Sequence, residues 1–179
     1  MDEMIQSIDP SWIVRLVVVG RKTSQVRADY QARRTELQVF SPRGVIVHVG
    51  HNDIVPHPRH NPQPMCSSLA FSQAMSFMNE IAVDMPQARI ICSSIFPRSV
   101  GPRMDRGEKI LYNNEALVYG EMVASTCLSQ HRRFVLNQCL WESPVDGFER
   151  PSLYMRDGLH LNWWGKREVA SYWMSELVV

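Results

Sequence analysis

The stretch that most restricts the fold is residues 44–53, Gly-Val-Ile-Val-His-Val-Gly-His-Asn-Asp. Val45, Ile46, Val47 and Val49 give a β-branched run with no polar alternation among the first three. A strand of that kind is buried on both faces, and helices must cover it, as in a parallel sheet. The run ends in a cluster of polar side chains, and ligand sites of open α/β sheets lie at the carboxyl ends of their strands. An α/β chain with its site beside Asn52 is the expectation.

The remaining sequence fits that frame. Strands are predicted over residues 12–19, 45–49, 89–95 and 133–136, and helices from Thr23 or Ser24 to about Leu37, from Cys66 or Ser67 to Asp84, from about Lys109 to Ser129, and from Trp163 or Trp164 to Leu177. Helical spacing puts Phe71, Ala74, Met75, Met78, Ile81 and Ala82 on one face of the second helix, and Val169, Ala170, Trp173, Met174 and Leu177 on one face of the last. Thr23 or Ser24 is the expected N-cap of the first helix. Pro56, Pro58, Pro62 and Pro64 make residues 55–64 an irregular loop, and residues 137–156 read as a second loop whose Trp141, Phe148 and Tyr154 border a pocket. Strands alternating with helices imply a three-layer α/β/α sandwich around a parallel sheet, in one domain over residues 1–179.

Composition excludes more than it identifies. With 45% hydrophobic and 21% charged residues the chain is an ordinary globular one, and a net charge of +1 gives no general attraction to nucleic acid or anionic membrane. Arg98, Arg103, Arg106 and Lys109 cluster, but without interleaved aromatics they read as a solvated surface, so a nucleic-acid partner is not favoured. No run is long and apolar enough for a membrane span or a leader, and the expected location is the cytoplasm. Cys66, Cys92, Cys127 and Cys139 lack metal-type spacing, and His57 and His60 lack a third ligand, so neither metal nor other cofactor is expected.

A second motif lies near the C-terminus: Met155-Arg-Asp157-Gly-Leu-His160-Leu-Asn-Trp-Trp-Gly165. An aspartate and a histidine three residues apart suit an imidazole base whose tautomer a carboxylate fixes. A turn followed by a helix-capping histidine would use the same letters. Taken with Gly50-His-Asn52-Asp53, the order and separation of the motifs resemble those of the SGNH (GDSL-type) hydrolases. The resemblance runs from about Leu16 to the end and implies a flavodoxin-like sheet and ester hydrolysis by a Ser-His-Asp mechanism, with a small-molecule ester as substrate. It implies His160 as general base, Asp157 as its orienting acid, Asn52 as oxyanion-hole donor with Gly50 and Asp53 shaping its turn, and Gly20 as the second-block oxyanion glycine.

The family's Gly-Asp-Ser block is absent from the chain. Gly20 is followed by Arg21, Lys22, Thr23 and Ser24, and only about one helix and one strand fit between Gly20 and Gly50. The expectation is therefore a domain shortened at its N-terminus relative to the family. Its sheet would have four strands, with residues 12–19 beside residues 45–49. Ser24, Ser41, Ser93 and Ser94 could replace the missing nucleophile, yet each has a plainer place as helix cap, turn residue or strand end. Two functions stay open at this point: an esterase, or a binding module for a ligand or RNA that has lost catalysis. A flavin-type reading lacks the glycine-rich phosphate cradle after the first strand.

Overall fold

The computed structural model describes residues 22–54, 66–99, 106–130, 132–135, 137–143 and 148–178. The strand expected over residues 12–19, Gly20 and the proline-rich loop lie outside these residues, as does the expected pairing of residues 12–19 with 45–49.

Three parallel strands form the described sheet, in the order β1 (Gly44–Val47), β2 (Arg89–Ser93), β3 (Arg133–Val135). Gly44 is in register with Arg89, Val47 with Cys92, and Ser93 with Val135. Alternate residues of each strand enter different cores. Val45, Val47, Ile90, Cys92 and Phe134 face one cluster, and Ile46, Ile91 and Val135 face the other. Both faces of every strand are covered, which is why the strands carry apolar runs instead of alternating patterns.

The first face is covered by α1 (Thr23–Ala32), α2 (Arg34–Phe40), α4 (Ser67–Asp84) and α5 (Arg106–Ser129), through side chains that include Tyr30, Leu37, Met78, Ile81, Tyr119 and Val123. A four-residue helix, α3 (His51–Ile54), follows β1 directly. The opposite face packs against α6 (Trp163–Val178) and two short 3-10 turns, with Leu140, Leu153, Val169 and Trp173 in contact. This is the three-layer α/β/α sandwich expected from the sequence.

Some local expectations change. The first helix is bent at Arg33 into two segments, so that Arg27, Gln31 and Arg34 follow α4 and bind Glu80 and Asp84. Residues 137–156 are not one irregular loop. They hold a short antiparallel pair, β4 (Trp141–Ser143) and β5 (Phe148–Glu149). A buried ion pair from Lys109 on α5 to Glu149 (2.9 Å) fastens it, a long-range contact that local composition does not encode. Lys109 therefore does not belong to a solvated basic surface.

Helix α6 meets the chain before it at Gly165. A β-carbon there would lie 2.4 Å from the backbone oxygen of Leu153. Replacing a helical glycine with alanine ordinarily stabilises by about 0.5–1 kcal/mol. Gly165→Ala is predicted to have the opposite sign, lowering the urea midpoint at unchanged m value. A stabilised variant would show that α6 is not seated on Leu153.

Candidate active site

The turn after β1 is built from glycine outward. Gly50 has φ +108°, and a β-carbon would sit 2.9 Å from Ile95 Cδ1 and 3.2 Å from the Tyr119 ring, so only glycine fits. Its carbonyl accepts the N–H groups of Asp53 (3.0 Å) and Ile54 (3.1 Å), which starts α3 and carries Asn52. Tyr119 Oη donates to Val49 O (3.2 Å) and fixes the strand end.

Asp53 does more than shape this turn. Its Oδ2 accepts both the backbone N–H of Thr23 (2.9 Å) and the Thr23 hydroxyl (2.5 Å). Thr23 is not the N-cap expected from the sequence. It is the first helical residue of α1, Lys22 is the N-cap, and Ser24 is exposed. The orphan N–H at the helix start is satisfied by a carboxylate brought from α3, where the helix dipole also favours negative charge.

The sequence reading missed two histidines at this turn. His51 Nε2 accepts the backbone N–H of Phe96 (3.3 Å), so His48 Nε2, 2.8 Å away, is the donor between the rings. That assignment leaves His48 Nδ1 to accept from the Ser93 hydroxyl (3.1 Å) and His51 Nδ1 to donate to Tyr112 Oη (3.0 Å). Phe96 lies 4.1 Å from the His48 ring and Trp173 5.3 Å, centroid to centroid. Burial pushes the His48 imidazole down to about 4 and holds His51 well below its ordinary value, with His48 and Arg98 adding to the second shift. Burial also pushes the Tyr112 phenol up to about 12. The signal available in the sequence was the spacing His48-x-x-His51 at the end of an apolar strand.

The second motif forms a closed turn. Tyr154 and Leu161 make an antiparallel bridge, Met155 N–H donates to His160 O (2.8 Å), and Gly158 takes φ +67°. Asp157 Oδ1 accepts the N–H groups of Leu159 (2.9 Å) and His160 (3.0 Å), while Oδ2 accepts from His160 Nδ1 at 2.6 Å. The His160 backbone N–H, its ring and the Leu159 N–H hold the Asp157 carboxyl well below the usual carboxylate range. His160 does not cap α6. Asn162 does, its Oδ1 accepting from Gly165 N–H (3.1 Å) and its Nδ2 donating to Ser152 O (2.7 Å). With Nδ1 held by Asp157 and the side chain 64% exposed, the His160 Nε2 lone pair is open to solvent.

The segment leaving β2 connects the two motifs. Phe96 N–H binds His51, Ser99 N–H donates to Gly158 O (2.8 Å), and Tyr154 Oη donates to Pro97 O (2.6 Å). Asn113 clamps the Arg98 backbone on both sides, accepting from its N–H (2.8 Å) and donating to its carbonyl (3.1 Å). The Asn52 turn and the Asp157/His160 turn thus share the carboxyl edge of the sheet. By contrast, a depression of about 280 Å³ lined by Met85, Arg89 and Arg132 lies by the first residue of β2, at the other end of the strand, and gathers no acid–base pair.

Of the serines weighed from the sequence, two are engaged in the core. Ser93 and Ser94 are buried and bind Asn137 Nδ2 through their hydroxyls (2.9 and 3.0 Å). Ser41 ends α2 in the left-handed region. Trp141 and Tyr154 are core side chains, not pocket walls, because the face of the sheet under α6 needs large apolar groups. Among the described residues no helix is long and apolar enough to cross a membrane, and no group of three or more His, Cys, Asp or Glu could hold a metal ion.

No family model and no curated protein matches the sequence. Solved structures do. A protein from Bacteroides fragilis assigned as an acylhydrolase superposes with a TM-score of 0.72 at 15% identity, over 98% of this chain and 77% of that one. A GDSL-like lipase from Bacteroides thetaiotaomicron gives 0.69 at 17% identity, over 98% and 82%. A catalytic variant of an acetylxylan esterase from Geobacillus stearothermophilus gives 0.64 at 18%, over 98% and 78%. The chain has the SGNH (GDSL-type) hydrolase fold.

Two predictions follow from the buried contacts of the turn. Thr23→Val keeps the shape and removes a hydrogen bond to a charged group, so stability in urea is expected to fall by about 1.5–3 kcal/mol; an unchanged midpoint would mean that Asp53 is satisfied elsewhere. For the histidines the unfolded chain takes up protons near pH 6.5 and the folded chain only near 4 at His48. Their contribution is fully present above 6.5 and is lost as pH falls toward 4, by about 1.4 kcal/mol per pH unit for each ring. Calorimetric Tm between pH 7.5 and 4.5 should drop more steeply than in a His48→Gln/His51→Gln variant. Equal slopes would place the acid sensitivity elsewhere.

Proposed function

We propose that the chain is a hydrolase domain that cleaves a small-molecule ester at the carboxyl edge of its sheet. The observation that carries this reading is the Asp157–His160 contact, 2.6 Å from Oδ2 to Nδ1, made by a turn fastened to the same β2 exit as the Asn52 turn. Nδ1 donates to the ionised Asp157, so Nε2 carries the lone pair and is the atom that takes a proton. Asp157 keeps its negative charge throughout and stabilises the imidazolium that forms. Asn52 supplies a side-chain N–H to the oxygen that becomes negative in the tetrahedral intermediate; Gly20, the second donor that the family resemblance implies, lies outside the described residues. A donor aimed at charge present only in that intermediate accelerates by about a hundredfold or more. The likeness in fold to an acetylxylan esterase and a GDSL-like lipase supports an ester as the substrate class.

The attacking group is the open element of the mechanism. Ser93 and Ser94 are committed to Asn137, and no Gly-Asp-Ser occurs in the chain. These two facts favour a second reading, in which the same pocket binds its ligand without turning it over. Labelling with a fluorophosphonate, read by intact mass beside His160→Ala and Asn52→Ala, separates the two. One adduct on the parent chain, absent in His160→Ala and slowed about a hundredfold in Asn52→Ala, is the outcome expected of a serine esterase. A folded parent chain with neither adduct nor hydrolysis of 4-nitrophenyl acetate would overturn the catalytic reading.

A further inference from the structure

Arg98 leaves β2 between the two motifs, and among the described residues no carboxylate pairs with it. Arg27, Arg33, Arg34 and Lys109 each pair with a carboxylate, of Glu80, Glu36, Asp84 and Glu149 respectively. The Arg98 guanidinium instead lies over the Tyr112 ring, 4.1 Å from its centroid, and hydrogen-bonds the Tyr112 hydroxyl, while its buried Nε has no acceptor among the described residues. Two titratable neighbours, Tyr112 and His51, do not neutralise it, because both are uncharged.

Leaving a buried donor unsatisfied costs about 1–3 kcal/mol, and more for a charged group. Stability would be served better by a neutral side chain stacked on Tyr112. The ring instead fixes the plane of a fork of N–H donors, and such a fork matches an oxyanion in two-point contact. Arg98 is also one residue from Ser99, whose N–H holds the Asp157/His160 turn. Through Tyr112, it is one contact from His51, the neighbour of Asn52.

We propose that Arg98 is a specificity-determining residue that binds an oxyanion of the ligand, a carboxylate or a phosphate, beside the atom that is to react. The inference rests on the ester-binding reading above and narrows it: the substrate is an anionic ester, such as a dicarboxylic half-ester, not a neutral one.

Calorimetric titration of the full chain with monomethyl succinate, dimethyl succinate and methyl phosphate tests this without requiring turnover. The expected result is binding of at least one of the two anions and weaker binding of neutral dimethyl succinate. In Arg98→Met, which keeps the stem over Tyr112, anion affinity should fall about tenfold or more, while the neutral diester is unaffected. Arg98→Lys, with charge but no fork, should fall between the two. Methyl phosphate binding without monomethyl succinate would identify phosphate as the oxyanion, and the reverse would identify carboxylate. No anion binding by the folded chain, or equal anion binding in Arg98→Met with an unchanged melting temperature, overturns the proposal. Hydrolysis of neutral 4-nitrophenyl acetate with no anion binding would sink this inference and leave the ester-hydrolase reading standing.

Discussion

A hydrogen-bonded chain crosses the carboxyl edge of the sheet and the rest of the structure depends on it. It runs from Tyr112 through His51, His48, Ser93 and Asn137 to the indole N–H of Trp173. Its members come from α5, α3, the exits of all three strands, and α6, so both layers of helices are tied to the same edge. A parallel sheet buried on both faces has its strand ends as the natural place for polar groups, and such groups must find partners because an unpaired one costs about 1–3 kcal/mol. Asn137 shows how fully this is met: its Nδ2 lies within 3.0 Å of both serine hydroxyls and of Ser94 O, and its Oδ1 accepts from Trp173. Exchange of any one member for an apolar group strands the next.

The helices depend on tertiary structure in the same way. Lys22 and Cys66 precede α1 and α4, and neither makes a side-chain cap. The missing acceptor comes from elsewhere in both cases. Asp53 caps α1, and Glu115 Oε2 accepts the Ser67 N–H at 2.9 Å. A carboxylate at a helix start gains from the dipole as well as from the hydrogen bond. Because each cap lies on another element, each helix start is complete only once α3 or α5 is in place, which makes local order and the global fold a single cooperative event.

This division explains what the sequence could show. The three strands, the buried face of α4 and the buried face of α6 were legible, since β-branched runs and helical periodicity report burial directly. The Asp157/His160 pair was legible from its spacing, because its three contacts close within one turn. The His48–His51 pair was not: its partners Ser93, Phe96 and Tyr112 are far along the chain, and a histidine after an apolar run has no periodic signature. Thr23 was misjudged for the same reason. A hydroxyl at a helix start looks like a cap, and only the packed structure shows that it donates to Asp53. Lys109 read as surface charge until Glu149 was placed beside it.

The proposed site has two unlike halves. The Asn52 half is over-determined: Gly50 admits no other residue, His51 is bonded on both ring nitrogens, and Asp53 is bonded twice to Thr23. The His160 half is open to solvent and is defined chiefly by its own turn. For ester chemistry this is a workable arrangement. A donor to a developing oxyanion is effective only if it is already aimed, since reorientation during the reaction would consume the stabilisation it offers. A base needs a fixed tautomer more than a fixed position, and Asp157 supplies the tautomer locally. Arg98 lies on the β2 exit that both turns bind, with its backbone clamped by Asn113 and its guanidinium laid on Tyr112. An anion held there would meet a charge whose stem and plane are set before it arrives, so the ordering entropy that usually weakens an arginine contact is already spent in folding.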